Sequence, residues 1–276
     1  MLTFGHKSKV KMMTDRLQDE QLNKIQDRFT RTAEAFATYV LQKRGADADR
    51  LADMAEPLVS DRVLDAACGP GTYALRFAPR VRAVVGLDYT PAMLTKARDT
   101  AERIGLTNVA FSRADVTAIP FRTGSFNVVT CGFSIHHLLD PRAAVREFAR
   151  ILARGGRLAF MDIIVAEPGR VEVNNRIEKV RDNSHVHTHT QPELLKLMES
   201  AGLRLRTAER VESPRMFNHW MHVAGFEPGD TTYEETRRLM EATFEDDSAG
   251  FHPEKPAAPG ADFQYTQTIL YLIAER

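Results

Sequence analysis

The sequence predicts an α/β fold built on a mostly parallel sheet, and three observations carry that expectation. Short apolar runs with strand character alternate with stretches of helical periodicity across residues 62–165. A glycine turn, Cys68-Gly69-Pro70-Gly71, follows the first of those runs, where glycine lets backbone come close to a ligand. Three acids, Asp65, Asp88 and Asp115, stand at the ends of three successive strands, and in an open parallel sheet those ends share one crevice.

Each element follows from local signals. Residues 15–43 have few breakers, and Ile25, Phe29, Ala33, Phe36 and Val40 recur at helical spacing. Residues 1–13 carry Lys7, Lys9 and Lys11 without an apolar core, which predicts a loose tail rather than a secretory signal. A second helix is expected over 48–58, then the first strand over 62–65 and a helix over 72–80. A second strand spans 81–87 and ends at Asp88. Thr90-Pro91 is a good cap-and-proline start for a helix that stops at Gly105. The third strand covers 108–112 and the fourth 126–133. Asp140-Pro141 opens a helix to Leu152, and Gly155-Gly156 turns into a fifth strand over 157–165. Residues 168–189 predict a helix followed by a histidine-bearing loop. Thr190 and Glu193 form a capping box for the next helix, a sixth strand covers 203–211, and the last strand covers 263–274.

Composition narrows the function classes. The chain has 276 residues, 43% hydrophobic and 27% charged, which suits a soluble globular protein of one or two domains. Lys plus Arg equals Asp plus Glu at 37 each, so no net charge draws it to nucleic acid or anionic lipid. No apolar run is long enough for membrane insertion. Two cysteines, Cys68 and Cys131, make no disulfide framework, and a cytoplasmic setting is the simplest expectation.

The strand, glycine turn and following helix read either as a plain connection or as a nucleotide-type pocket. Asp88, at the end of the second strand, is suited to accept hydrogen bonds from both hydroxyls of a ribose. The segments VLDAACGPG (63–71), VVGLDYTPAML (84–94), RADVTAIPF (113–121), FNVVTCGFSIHHLLDP (126–141) and LARGGRLAF (152–160) together resemble the class I S-adenosylmethionine-dependent methyltransferases. The nearest resemblance is to the ubiquinone and menaquinone biosynthesis C-methyltransferase group, whose N-terminal segment is similar to DRFTRTAEAFATY (27–39). It covers roughly residues 27–165.

That resemblance implies a Rossmann-like fold with seven strands, the last antiparallel, and S-adenosylmethionine as cofactor. It implies that Asp65, Ala67 and the Gly69-Pro70-Gly71 turn hold the methionine end, and that Asp88 binds the ribose. Tyr89 and Met93 would lie beside the adenine, with Asp115 and Val116 at its polar edge. Gly132 and Phe133 would line the floor near the methyl group, and Phe29 and Phe36 would cover the cofactor. A tyrosine is usual in that group where this chain has Phe36. The chemistry then asks for alignment of acceptor and methyl, exclusion of water, and a base where the nucleophile carries a proton; it demands no metal.

The acceptor is less legible. Cys131-Gly132-Phe133-Ser134 replaces the Asn/Asp-Pro-Pro-aromatic run of enzymes that methylate base or glutamine amines, which favours a small-molecule acceptor. His185 is the first candidate for a general base and His137 the second; ordinary polar loop histidines, or a metal site from His185, His187 and His189, are the other readings. The two cysteines read as small packed thiols. About fifty residues interrupt the final hairpin and carry Met216, Phe217, Trp220, Met221, Phe226, Leu239, Met240 and Phe244. We expect two helices there, making residues 213–261 a lid between strands six and seven, with Gly229 and Pro253–Pro259 as flexible margins. The structural alternative is a homodimer contact through the same apolar face. The division is then cover helices over 1–60, a cofactor-binding core over 61–212 and 262–276, and the lid. Two rival functions are a NAD-dependent oxidoreductase, since Gly69–Ala74 satisfies G-x-G-x-x-A, and a non-catalytic cofactor-binding protein.

Overall fold

The computed structural model describes residues 3–258 and 260–276. Three helices come first: α1 (Thr3–Arg31), α2 (Ala33–Lys43) and α3 (Gly45–Ala55). Strands and helices then alternate as β1 (Arg62–Ala66), α4 (Thr72–Phe77), β2 (Ala83–Asp88), α5 (Pro91–Arg103), β3 (Val109–Arg113), β4 (Phe126–Gly132), α6 (Pro141–Ile151) and β5 (Leu152–Ile164). The last third holds α7 (Val171–Arg181), α8 (Gln191–Ser200), β6 (Arg204–Met216), α9 (Phe217–Val223), α10 (Thr231–Glu241) and β7 (Gln264–Glu275).

The sheet has seven strands in the order β3-β2-β1-β4-β5-β7-β6. The first five are parallel, and β7 runs antiparallel to both β5 and β6. The order reverses between β1 and β4, so their carboxyl ends open a crevice at the switch point. Central strands are apolar on both faces because helices cover both. Leu64, Phe126, Phe148 and Leu270 fill one layer with α6 and α8, and Val63, Phe77, Val128 and Tyr271 fill the other with α3 and α4. The outer strand β6 is instead studded with Arg204, Arg206, Glu209 and Arg210, which discourages further pairing. Among the described residues no helix is long and apolar enough to cross a membrane.

Three expectations are corrected. The tail is helical from Thr3, within a run that has no proline as far as Arg31; Met1 and Leu2 lie outside the described residues. β6 runs five residues past Val211, because Pro214 sits on an edge strand that pairs only with β7, where its missing N–H costs no ladder bond. Thr90 occupies the cap position of α5, yet its hydroxyl makes no cap bond. The Asp140 cap on Ala143 and the Thr190–Glu193 capping box are both present.

The interrupted hairpin does fold as two helices. Phe217, Trp220, Met221, Leu239 and Met240 pack with Ile177 of α7 and with Phe251, Phe263 and Tyr265 into a third core. The apolar face considered for a dimer contact is therefore consumed inside the chain, apart from the exposed Met216. Pro259, one of the proposed flexible margins, lies outside the described residues.

Candidate functional site

The turn after β1 is held in conformations that cost energy. Ala67 has φ 55° and Phe133, after β4, has φ 52°; both lie in the left-handed region that side chains disfavour. Gly69 and Gly71 share it at φ 53° and 87°, and at Gly71 a Cβ would also come within 3.1 Å of Ala97 and 3.3 Å of Phe111. Asp88 fixes this turn to its own strand. One carboxylate oxygen accepts from the Gly69 N–H and the other from the Thr90 N–H, each at 2.8 Å. Burial pushes the Asp88 carboxyl up in pKa, and those amides act against the rise.

Asp65 is placed otherwise than expected. The pleat points it beneath the turn, on the Val63 face, where it is fully buried and accepts from the Ala74 N–H at 2.8 Å. Its other oxygen has no hydrogen-bond partner, and burial pushes its carboxyl up to about 8. Neither Asp65 nor Gly71 lines the cavity. Ala67, Gly69, Pro70, Asp88, Tyr89, Met93, Asp115, Val116, Gly132 and Phe133 do, together with Phe29 and Phe36 from the N-terminal helices. Asp115 accepts from the Thr117 N–H at 2.8 Å and from Gln18 at 3.3 Å.

The wall accommodates a polar cofactor. Thr72 and Thr90 both line the cavity, and the buried Thr72 hydroxyl has no partner among the described residues. A Cβ on Gly132 would sit 2.4 Å from the Tyr73 ring, so only glycine lets that ring close under the β4 end. Cys68 and Cys131 are free and buried, and burial pushes both thiols up, so they stay protonated packing groups; Cys131 lies 2.9 Å from the Ser134 hydroxyl.

The other half of the cavity is assembled from distant segments. Gln21 of α1 donates to the carbonyls of His137 at 2.8 Å and Ser184 at 2.6 Å. Arg28, two turns further along, forms an ion pair with Asp182 at 3.0 Å, with both side chains 3% exposed. Burial opposes the Asp182 charge, but Arg28, His137 and Arg181 hold its carboxyl well below the usual range. Phe29 meets the Phe36 ring edge-on at 5.2 Å and the His137 ring at 5.4 Å.

The histidines sort by depth. His136 and His137 line the cavity and His185 does not. His185 lies behind them, stacked 5.6 Å from His136, with Nε2 2.8 Å from the Asn175 carbonyl oxygen and its pKa lowered by burial and by the neighbouring imidazoles. Its expected place at the acceptor is therefore corrected. His137 places Nδ1 3.1 Å from both the carbonyl and the hydroxyl of Ser184, and burial, then His136, lowers its pKa to about 3. His136, which the sequence reading passed over, has Nδ1 2.6 Å from Asp162. Burial works against its charged form, yet Asp162 overrides that and raises its pKa. Asp162 also accepts from the Ile135 N–H at 2.9 Å, so its carboxylate is fixed in place. No described residue bonds His136 Nε2, the nitrogen left for the cavity. His187 and His189 sit edge to face at 4.7 Å, and among the described residues no three ligand-type side chains are grouped for a metal.

The methyltransferase domain family model matches residues 64–160. The uncharacterized methyltransferase YcgJ of Bacillus subtilis is 31% identical over 198 residues, covering 71% of this chain and 78% of that protein. Its crystal structure matches with a TM-score of 0.76 at 26% identity, over 83% of this chain and 97% of that one. A putative methyltransferase from Bacillus halodurans C-125 matches with a TM-score of 0.77 at 28% identity, over 83% and 98%. A demethylmenaquinone methyltransferase of Thermus thermophilus is 41% identical over 115 residues, 41% of this chain and 52% of that protein.

Proposed function

This chain belongs to the class I S-adenosylmethionine-dependent methyltransferases, and on that premise we propose that it methylates a small-molecule acceptor with His136 as general base. The cofactor is S-adenosylmethionine, which when bound supplies a methyl group on a sulfonium sulfur that keeps the electron pair of the broken carbon–sulfur bond. The observation that carries the assignment is the 2.6 Å contact between His136 Nδ1 and Asp162, with His136 lining the cavity and no described residue bonding its Nε2.

Asp162 acts as the positioning residue: it holds the proton on Nδ1, leaving Nε2 as the lone-pair acceptor. Nε2 takes the proton from an acceptor O–H, N–H or acidic C–H, and the pair freed there makes the new bond to the methyl carbon. A raised His136 pKa predicts a rate that climbs as pH rises through that pKa, since only the neutral ring accepts a proton. Asp88 binds the ribose hydroxyls, and Asp115 and Val116 take the adenine edge. Phe133, Gly132 and the packed Tyr73 form a dry floor.

The small-molecule class is supported by the zero net charge and by the demethylmenaquinone methyltransferase among the relatives. We further read residues 213–261 as a lid on that acceptor, since Trp220 and Val223 of α9 line the same cavity as the cofactor residues. The test is S-adenosylhomocysteine formation against panels of phenols, quinols, amines and thiols. His136→Gln should lower kcat by about 10²–10⁴-fold and flatten the pH profile while S-adenosylhomocysteine affinity is kept. Full activity of His136→Gln at every pH would remove it as the base and return the role to His137. A wild type that binds the cofactor but turns over nothing in the panels would favour a non-catalytic binding protein.

A further inference from the structure

Beside the cavity lies a second recess between α2 and the β6–α9 corner, of about 490 Å³. The two share the walls Tyr39, Arg44, Arg215, Trp220 and Val223. Most arginines along these walls are matched; the half-buried Arg215 at the junction is not, nor is the exposed Lys43 at the rim. Arg28 pairs with Asp182 at 3.0 Å, Arg44 with Asp47 at 2.7 Å and Arg181 with Glu178 at 2.8 Å. Arg215 makes no ion pair with any described carboxylate. Its Nη1 donates to the Tyr39 hydroxyl at 2.8 Å, and its Nε is buried without any partner.

A guanidinium cannot shed its charge, and a buried donor without an acceptor is costly. Arg215 is half-buried near the end of β6, opposite Tyr265 of β7, so the sheet fixes it where both cavities meet. Nearby, the exposed Lys43 and His219 rim the outer recess, with Asp47 as the acid that is already paired to Arg44. Tyr39 and Trp220 both line the junction.

We propose that the acceptor is a planar or aromatic acid, and that Arg215 reads its carboxylate while the reacting end lies toward His136. This rests on the methyltransferase reading above and adds the substrate class. A carboxylate in the cavity would supply the ion pair that the Arg215 guanidinium lacks among the described residues. The ring would lie between Tyr39 and Trp220.

The test uses matched probes, 1-naphthoate and neutral 1-naphthamide, titrated calorimetrically into the full chain saturated with S-adenosylhomocysteine. Wild type should bind the acid about tenfold tighter or more, the scale of a charged hydrogen bond, and raised salt should erode that preference. Arg215→Gln should bring the ratio near one, and Arg215→Lys should keep part of it, with S-adenosylhomocysteine affinity unchanged in both. Equal binding of the two probes by wild type, no binding of the acid, or a preference that survives in Arg215→Gln would each overturn the proposal. So would a loss of S-adenosylhomocysteine affinity in Arg215→Gln with the naphthoate preference intact, which would assign Arg215 to the cofactor's own carboxylate. If either variant is unfolded by circular dichroism, the salt dependence of the wild-type preference decides alone. Should wild type fail to bind S-adenosylhomocysteine, the methyltransferase reading fails; naphthoate against naphthamide on the free protein still judges the anion site.

Discussion

The two halves of the cavity are built by different means. The cofactor half, at the ends of β1, β2 and β3, is made of backbone: a turn in left-handed conformations tied by Asp88 to the Gly69 and Thr90 amides. The contacts that hold its turn are short-range, 19 residues between Asp88 and Gly69 and 9 between Asp65 and Ala74. The acceptor half is made of side chains brought from afar: Arg28 to Asp182 across 154 residues, Gln21 to Ser184 across 163. One half is a fixed cradle that any acceptor can be presented to. The other is a set of buried charges whose pairing defines the shape of the room, and it can vary with the acceptor while the cradle stays.

Deleting most of the segment proposed as a lid is the strongest way to test that separation. With residues 217–263 replaced by a two-residue turn joining Met216 to Gln264, turnover should be abolished and S-adenosylhomocysteine binding kept nearly intact by calorimetry. Comparable losses of both would mean that the halves are one unit.

Breaking a single buried pair comes next. Asp182→Ala leaves Arg28 charged and unpartnered at 3% exposure, so urea unfolding should register a loss of about 3–5 kcal/mol. Replacing both residues, Arg28→Met with Asp182→Leu, should recover much of it. A loss below ~1 kcal/mol would show that α1 is not anchored there.

In the cradle, Asp88→Ala should weaken S-adenosylhomocysteine binding by about 1.5–3 kcal/mol, the scale of charged hydrogen bonds. It should also cost stability without ligand, because two amides lose their acceptor. Unchanged affinity would take Asp88 out of the site.

The last effect is a pH slope. Asp65 has its carboxyl raised from 3.8 to about 8, so its contribution to stability is full below pH 3.8 and is lost as pH climbs through about 8. Asp65→Asn should remove that slope in ligand-free protein and gain on wild type toward alkaline pH. Parallel urea midpoints from pH 4 to 8 would leave Asp65 without this role.

This division also explains what could be read in advance. The strand succession, the glycine turn, Asp88, Asp115 and the capping box are local patterns in a linear text. The role of Asp65 was misjudged because strand parity, which turns it under α4, depends on where the strand ends to within one residue. His136 was hidden because its partner Asp162 lies on another strand, 26 residues on, within the apolar run MDIIV where an acid looks like an interruption. His185 looked exposed because a polar loop hides nothing in sequence; only α7 and the neighbouring imidazoles bury it. Arg215 falls inside the segment expected to be a helical insert and proves to be edge strand.

The position of β7 bears on how the molecule is made. This strand lies between β5 and β6, yet it comes after both in the chain. On the ribosome the cradle strands β3, β2, β1 and β4 can dock as soon as residue 132 has emerged, whereas β5 keeps one edge unpaired and β6 has no neighbour until residues 264–275 arrive. The nascent chain therefore passes through an interval of over one hundred residues with an apolar strand edge open, a stage at which chaperone capture or edge-to-edge aggregation competes with folding.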